Sequence, residues 1–336
     1  MNIQWDKLGF EFLPVKTNVR AIFDNGVWGE PKLYDTYDVT MSVAANCLHY
    51  GQAIFEGMKA FAHEDGDVYI FRPDENFRRM NQSTARLMMP EIPQELFMKM
   101  LQMVIRDNIE YVPPFGSGGS LYVRPVMYGT SPQIGVASSL RYELVILVMP
   151  VGAYYKNGIK PVDSMVALDY DRAAPRGTGK IKCAGNYAAS LYPAKICKQN
   201  HCQVPLFFDP KSHEYIDEFG TSNFFAITKD NKYITPESPS ILPSITNKSL
   251  MQLASDLGYE VEQRPVHKSE LANLKEVGAC GTAVVITPVG RIFCGDTVYT
   301  YDTETIGPVM KKLYDEMTGI QYGKIADRHN WLVKVL

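Results

Sequence analysis

The chain has no excess of basic residues. Its formal net charge is −3, from 34 Lys+Arg against 37 Asp+Glu, which argues against a general binder of nucleic acid or anionic membrane but leaves room for a local basic pocket. No apolar run is long enough to span a bilayer, and the N-terminal MNIQWDKLGF lacks a basic-then-apolar signal. A soluble, cytoplasmic protein is the expectation. The 6 cysteines (Cys47, Cys183, Cys197, Cys202, Cys280, Cys294) form no CxxC pair, and the 6 histidines show no HExxH or other ligand spacing. Neither a disulfide framework nor a metal site is expected. Internal repeats and low-complexity tracts are also missing.

What is present suits two domains of ordinary size: 336 residues, 46% of them hydrophobic. Asp24-Asn25-Gly26 marks a hairpin between Val19–Phe23 and Val27-Trp28. Val39–Ser42, Val68–Phe71, Leu121–Met127 and Tyr142–Met149 read as strands. A helix opens at Arg72-Pro73, with Phe77, Met80, Ala85 and Leu87-Met88 as a partly apolar stripe, and a second spans Gln94 to Tyr111. The polar stretch YYKNGIKP reads as a linker. Further strands are expected at Val204–Phe208, Phe224–Thr228, Glu260–Arg264 and Ala283–Pro288. Helices are expected at Tyr187–Gln199, Ser249–Leu257, Lys268–Leu274 and Thr305–Thr318. The pattern is strand-rich α/β or α+β in both halves: a smaller N-terminal domain over 1–150, a linker over 151–161 and a larger C-terminal domain over 162–336.

RGTGKIKCAGNYAASLY, Arg176 to Tyr192, holds two candidate lysines. A P-loop is excluded, since GxxxxGK[ST] would need Gly at 174 and Ser or Thr at 181, where the chain has Ala174 and Ile181. A half-buried lysine at such a corner has its neutral amine within reach. If residues 180 to 182 are extended, Lys180 and Lys182 share a face, and position alone does not choose between them. In YIDEFGTSNFF, Asp217 and Glu218 should point to opposite faces of a strand, so that one can be inward, and a buried carboxylate needs a cationic partner. LPSITNKSLMQLASDLGYE has a helix start at which free amides near Ile245 and Thr246 suit a phosphate. GACGTAVVITPV has small residues that let backbone amides approach an anion, and LYVRPV puts Tyr122 and Arg124 on one face, with Arg124 suited to a carboxylate. Each of these features alone has a commoner structural reading as a solvated lysine, a capped helix, a tight turn or a surface ion pair.

Together HYGQAIFEGMKAF, FRPDENFRRM, SLYVRPV, VGAYY, GKIKCAGNY, IDEFGTSN, ILPSIT, CGTAVVITPV and IQYG, spread over nearly the whole chain, resemble the branched-chain-amino-acid aminotransferases. These are pyridoxal 5′-phosphate enzymes of the D-amino-acid-aminotransferase-like fold, fold type IV. The resemblance implies that Lys182 is the Schiff-base lysine and that Tyr187 bonds the cofactor's phenolic oxygen. It implies that Glu218 pairs with the pyridine nitrogen, with Thr221 nearby, and that Arg79 binds the phosphate with the amides of Ile245 and Thr246 and with Thr282. Thr282 and Ala283 would hold the substrate α-carboxylate, and Phe55, Tyr122 and Arg124 would line the side-chain pocket. A homodimer is implied, with Tyr50 and Val136 reaching into the other subunit's site. No metal is implied.

The implied reaction is reversible amino transfer between leucine, isoleucine or valine and 2-oxoglutarate. Lys182 would move the Cα proton, and Glu218 would keep the ring nitrogen protonated. The alternatives are a D-amino-acid aminotransferase or aminodeoxychorismate lyase of the same fold, or a cofactor-binding protein without transfer activity.

Overall fold

The computed structural model describes residues 3–153, 155 and 158–335. The chain divides into two compact units: Met1–Tyr154 with Ile181–Gly185 and Ile320–Leu336, and Tyr155–Lys180 with Asn186–Gly319. In chain order the first part contributes β1 (Asn18–Asp24), β2 (Val27–Trp28), β3 (Lys32–Tyr34), α1 (Asn46–Tyr50), β4 (Ala53–Phe55), β5 (Met58–Ala62), β6 (Val68–Phe71), α2 (Pro73–Arg86), α3 (Gln94–Asp107), β7 (Ser120–Gly129) and β8 (Tyr142–Val151). There follow β9 (Val162–Val166), α4 (Ala184–Ala189), α5 (Leu191–Gln199), β10 (Val204–Phe208), β11 (Ile216–Phe219), β12 (Asn223–Thr228), β13 (Tyr233–Pro236), α6 (Ile245–Asp256), β14 (Val261–Arg264), β15 (Leu274–Gly281), β16 (Val285–Cys294), β17 (Thr297–Thr300), α7 (Pro308–Gln321) and β18 (Leu332–Lys334).

The first unit is an antiparallel sheet in the order β18-β6-β5-β7-β8-β1-β2, with β3 on β1 and β4 on β7. One face is the core. Met58 and Ala60, Leu121 and Val123, and Leu144 and Ile146 alternate into it, and α3 covers it with Phe97, Met100, Leu101, Val104 and Ile105, all fully buried. Burying each such large side chain contributes roughly 1.5–3 kcal/mol. Residues 39–42 do not form the expected strand. β8 holds one edge of β1, and β2 and β3 already occupy the other. The buried side of α2 is also more polar than expected: Asn76, Arg79, Ser83 and Thr84 lie inward with Met80.

The second unit closes on itself. The order β11-β10-β9-β16-β15-β12 returns to β11 through Glu218 opposite Asn223, while β13 and β14 extend from β12, and β17 lies on β16. β9 and β10 are parallel, with α4 and α5 in the stretch that joins them, and β13 and β14 are parallel, joined through α6. Such helical crossovers are what parallel pairing requires.

Two returns interrupt the C-terminal range expected over 162–336. Residues 320–336 belong to the first unit because β18 pairs with β6. Residues 181–185 belong there because Ile54 bridges Cys183 and the Phe55 amide donates to the Lys182 carbonyl. Of the expected linker, Tyr154, Lys156 and Asn157 lie outside the described residues. Among the described residues no helix is long and apolar enough to cross a membrane, and no group of His, Cys, Asp and Glu could hold a metal ion.

Candidate active site

Lys180 lies exposed in a turn, and Lys182 follows outside any strand, so the shared-face expectation does not apply. The Lys182 amide donates to Ser83 Oγ and its carbonyl accepts from the Phe55 amide, both at 3.1 Å. With both backbone groups fixed by α2 and β4, the side chain has a defined origin, and Nζ lies 4.8 Å from the centroid of the Phe55 ring. Arg124 Cζ lies 4.7 Å from that same ring and donates through Nη2 to Tyr122 Oη at 2.7 Å, while its Nε is buried without a hydrogen-bond partner. Tyr122 and Arg124 therefore share a face as read from the sequence. Gly57 is required beside them, because a Cβ there would stand well inside van der Waals distance of Tyr122 Oη.

Beneath Lys182 lies a pair the sequence did not signal. Glu56 is fully buried and takes Arg79 Nε at 2.8 Å, Arg79 Nη2 at 2.7 Å and Asn76 Nδ2 at 2.7 Å. Burial pushes the Glu56 carboxyl up, but the charge and hydrogen bonds of Arg79, with help from Lys182 and Asn76, outweigh it and hold it below the usual carboxylate range. Arg79, the expected phosphate arginine, is thus buried and oriented by an acid, whereas Arg78 is exposed and paired with Asp74 and Glu75.

In the second unit both Asp217 and Glu218 are buried, 1% and 3% exposed, where alternation required no more than that one could be. Their strand belongs to a closed ring, in which both faces can be covered. Asp217 accepts from Ser240 Oγ, and burial raises its carboxyl above the ordinary value. Glu218 accepts the Leu242 amide at 2.8 Å, Asn223 Nδ2 at 3.2 Å and Arg172 Nη2 at 2.8 Å. Arg172 also donates to the carbonyls of Gly179 and Ser240. It was not anticipated, since nothing in LDYDRAAPRGTG sets it apart from Arg176. Asn223 lies opposite both Glu218 and Cys280 in register. Burial first, then the Glu218 charge, raises the Cys280 thiol, while a hydrogen bond to Ser244 lowers it. One row across the sheet thereby joins Glu218 to the start of α6, where Ser244 Oγ accepts the Asn247 amide. Ile245 and Thr246 begin the helix, and their amides come before its first intrahelical donor, the Lys248 amide, which bonds the Ser244 carbonyl at 3.0 Å.

Thr282 and Ala283 sit in the tight turn between β15 and β16. Val285 closes that turn at φ 68°, a left-handed conformation rare for a β-branched residue. Tyr187 is half-buried in α4, and Thr221 is exposed between β11 and β12. Tyr50 and Val136 are exposed on the first unit, and the Tyr50 hydroxyl donates to the Ile134 carbonyl.

The model of the family "Amino-transferase class IV" matches residues 53–292. The chain belongs to the class IV aminotransferases. It is an enzyme, a transaminase, of a class that depends on pyridoxal 5′-phosphate. It is 43% identical to the branched-chain-amino-acid aminotransferase of Haemophilus influenzae over 99% of each chain. The crystal structure of the Escherichia coli branched-chain amino acid aminotransferase is 28% identical with a TM-score of 0.77, covering 94% of this chain and 99% of that one. The branched-chain amino acid aminotransferase of Thermobaculum terrenum in its PLP form shares the fold at 24% identity, with a TM-score of 0.80 over 96% of this chain and 99% of that one.

Proposed function

We propose that this transaminase moves amino groups reversibly between leucine, isoleucine or valine and 2-oxoglutarate. The observation that carries the proposal is the surroundings of Lys182, which combine an aromatic ring at 4.8 Å with a guanidinium over the same ring. An apolar wall suits an aliphatic side chain, and the unpartnered Arg124 Nε suits a second carboxylate. The names of the relatives support the branched-chain half of this reaction.

The residues fit pyridoxal phosphate. A buried carboxylate held by Arg172, Asn223 and an amide suits a protonated ring nitrogen, and the first amides of α6 suit a phosphate. When bound, the cofactor supplies the aldehyde that carries the amino group and a ring that accepts electron density from Cα. Lys182 would hold that aldehyde through Nζ, and its amine would carry the substrate Cα proton as base and then as acid. Glu218 would keep the proton on the ring nitrogen, with Thr221 nearby, and Tyr187 would donate to the ring oxygen. Arg79, the amides of Ile245 and Thr246, and Thr282 hold the phosphate, and the amides of Thr282 and Ala283 hold the α-carboxylate. Phe55 and Tyr122 form the aliphatic wall, and Arg124 meets the distal carboxylate of glutamate. The working unit is a cytoplasmic homodimer in which Tyr50 and Val136 of the partner subunit complete the pocket; the exposure of Val43, Leu48, Ile134 and Leu140 beside them supports an interface.

The test is a half-reaction titration, following the cofactor's visible spectrum with leucine, isoleucine, valine, glutamate and D-alanine. Conversion with the first four is expected, and conversion with D-alanine alone overturns the assignment. Lys182→Ala should lose both the colour and turnover, and a variant keeping both would refute its role.

A further inference from the structure

We propose that Asp217 is a positioning residue for the cofactor's ring nitrogen, acting through Ser240 on the loop that holds Arg172 and Glu218 in place. The proposal rests on the reading above in which Glu218 meets that nitrogen, and adds a second buried acid that works at one remove. The pairing of β11 with β10 slips by one residue. Ile216 stands opposite Phe208 and Phe219 opposite Leu206, so Asp217 and Glu218 share one opposing residue, Phe207. Strict alternation would send two neighbouring acids to opposite faces. An extra residue relaxes that rule and re-aims side chains. Both acids bond to residues 238–242, which lie between β13 and α6 and belong to no helix or strand.

That loop is gripped through both its side chains and its main chain. The Ser240 hydroxyl donates to Asp217 Oδ2 and meets the Ser238 hydroxyl at 2.7 Å. The Ser240 carbonyl accepts from Arg172 Nη2, the nitrogen that also pairs with Glu218 Oε1 at 2.8 Å. Two residues on, the Leu242 amide donates to the same Oε1 at 2.8 Å, and the Leu242 carbonyl accepts from Asn223 Nδ2 at 2.9 Å. The Ser240 side chain thus answers to one acid, and its main chain to the cation of the other. Gly179 packs so closely on the Ser240 main chain that a Cβ there has no room. A segment with no ladder of its own depends on such tethers for its position. Asp217 is 1% exposed, burial raises its carboxyl, and its Oδ1 has no hydrogen-bond partner. A buried acid with an idle oxygen is costly, and an apolar residue would fill the space at less cost. What the acid provides is a strong acceptor for Ser240, and that bond fixes the carbonyl that Arg172 meets and, two residues on, the amide that Glu218 meets.

The test uses the holoenzyme and the 1-deaza analogue of pyridoxal phosphate, in which C–H replaces the ring nitrogen. Holoenzyme is equilibrated with the analogue, free ligand is removed, and the bound share of each is read from its absorbance. The ratio of the two affinities measures how well Glu218 meets the nitrogen, and a general loosening of the fold leaves it unchanged. Wild type should prefer pyridoxal phosphate by about tenfold or more, the effect of one charge-assisted hydrogen bond. Asp217→Ala and Ser240→Ala should each cut that preference about fivefold or more, while Asp217→Asn, which still offers Ser240 an acceptor, should hold it within about twofold of wild type. The double alanine variant should lose no more than either single one, because both changes cut the same link. Ser240→Ala removes only a hydroxyl, so it carries the test even where loss of the acid disturbs folding. A preference that survives in Ser240→Ala or Asp217→Ala, an asparagine variant that behaves like the alanine one, or losses that multiply in the double variant overturns the proposal. Equal affinities in wild type overturn the Glu218 reading and this proposal with it.

Discussion

Replacing Glu56 by Gln tests whether the buried acid is what orients Arg79. The side chain keeps its length, so the change removes a charge and little volume. In the native protein Arg79, 7% exposed, gives two hydrogen bonds to a fully buried carboxylate, at 2.8 and 2.7 Å. Removing one partner of such a pair costs about 3–5 kcal/mol. The amide oxygen of the introduced glutamine would still accept one bond from Arg79, so the lower end, about 3 kcal/mol, is expected at pH 7. The pH dependence follows from the lowered carboxyl of Glu56. Its contribution is complete above the unfolded value of 4.5 and is lost as pH falls below that towards its folded value. The gap between wild type and Glu56→Gln should therefore be constant from pH 6 to 8 and should close progressively below pH 4.5. Tryptophan fluorescence during urea unfolding reads the right region, since all 3 tryptophans (Trp5, Trp28, Trp331) lie in the first unit. A loss below about 1 kcal/mol at pH 7, or a gap that does not narrow in acid, would refute the reasoning.

Gly57→Ala should displace the Tyr122 hydroxyl, because the new methyl would overlap it. We expect a loss of about 1–3 kcal/mol in stability and a raised KM for amino acids, measured by thermal unfolding and steady-state kinetics. Val285→Gly should relieve the strain of a left-handed β-branched residue, worth about 1–3 kcal/mol. It should thus destabilise by at least about 1 kcal/mol less than Val277→Gly, made at a strand position that is also buried; equal losses would show that the turn is unstrained. Lys59 is a group whose folded value is depressed, from 10.5 to about 8, so the unfolded chain binds more protons between those values and native stability rises with pH there. Lys59→Met should accordingly be more stable than wild type at pH 7, with its advantage shrinking between pH 8 and 10 in thermal scans.

The two-residue alternation of strands was readable, and it alone put Tyr122 and Arg124 on one face. The helix-start chemistry around Ile245 and Thr246 was readable within one short window, although the helix itself was expected only from Ser249 and begins at Ile245. The charges that set the site's chemistry were not, since their partners are distant in sequence. Glu56 reads as one acid in an apolar run until Arg79 folds onto it, and Arg172 reads as one of several loop cations until it meets Glu218. At Asp217 and Glu218 alternation allowed one inward acid, and ring closure, by covering both faces, buries both; along α2 the buried stripe is polar because it serves Glu56 and the Lys182 backbone. Lys182 is the sharpest case. Periodicity could not separate it from Lys180, since the premise of a strand was wrong. What separates them is a pair of backbone hydrogen bonds, to Ser83, 99 residues away, and to Phe55. Local sequence thus supplied the kinds of group available for the chemistry, and long-range backbone pairing decided which of two neighbouring lysines is tied to the polar stripe of α2.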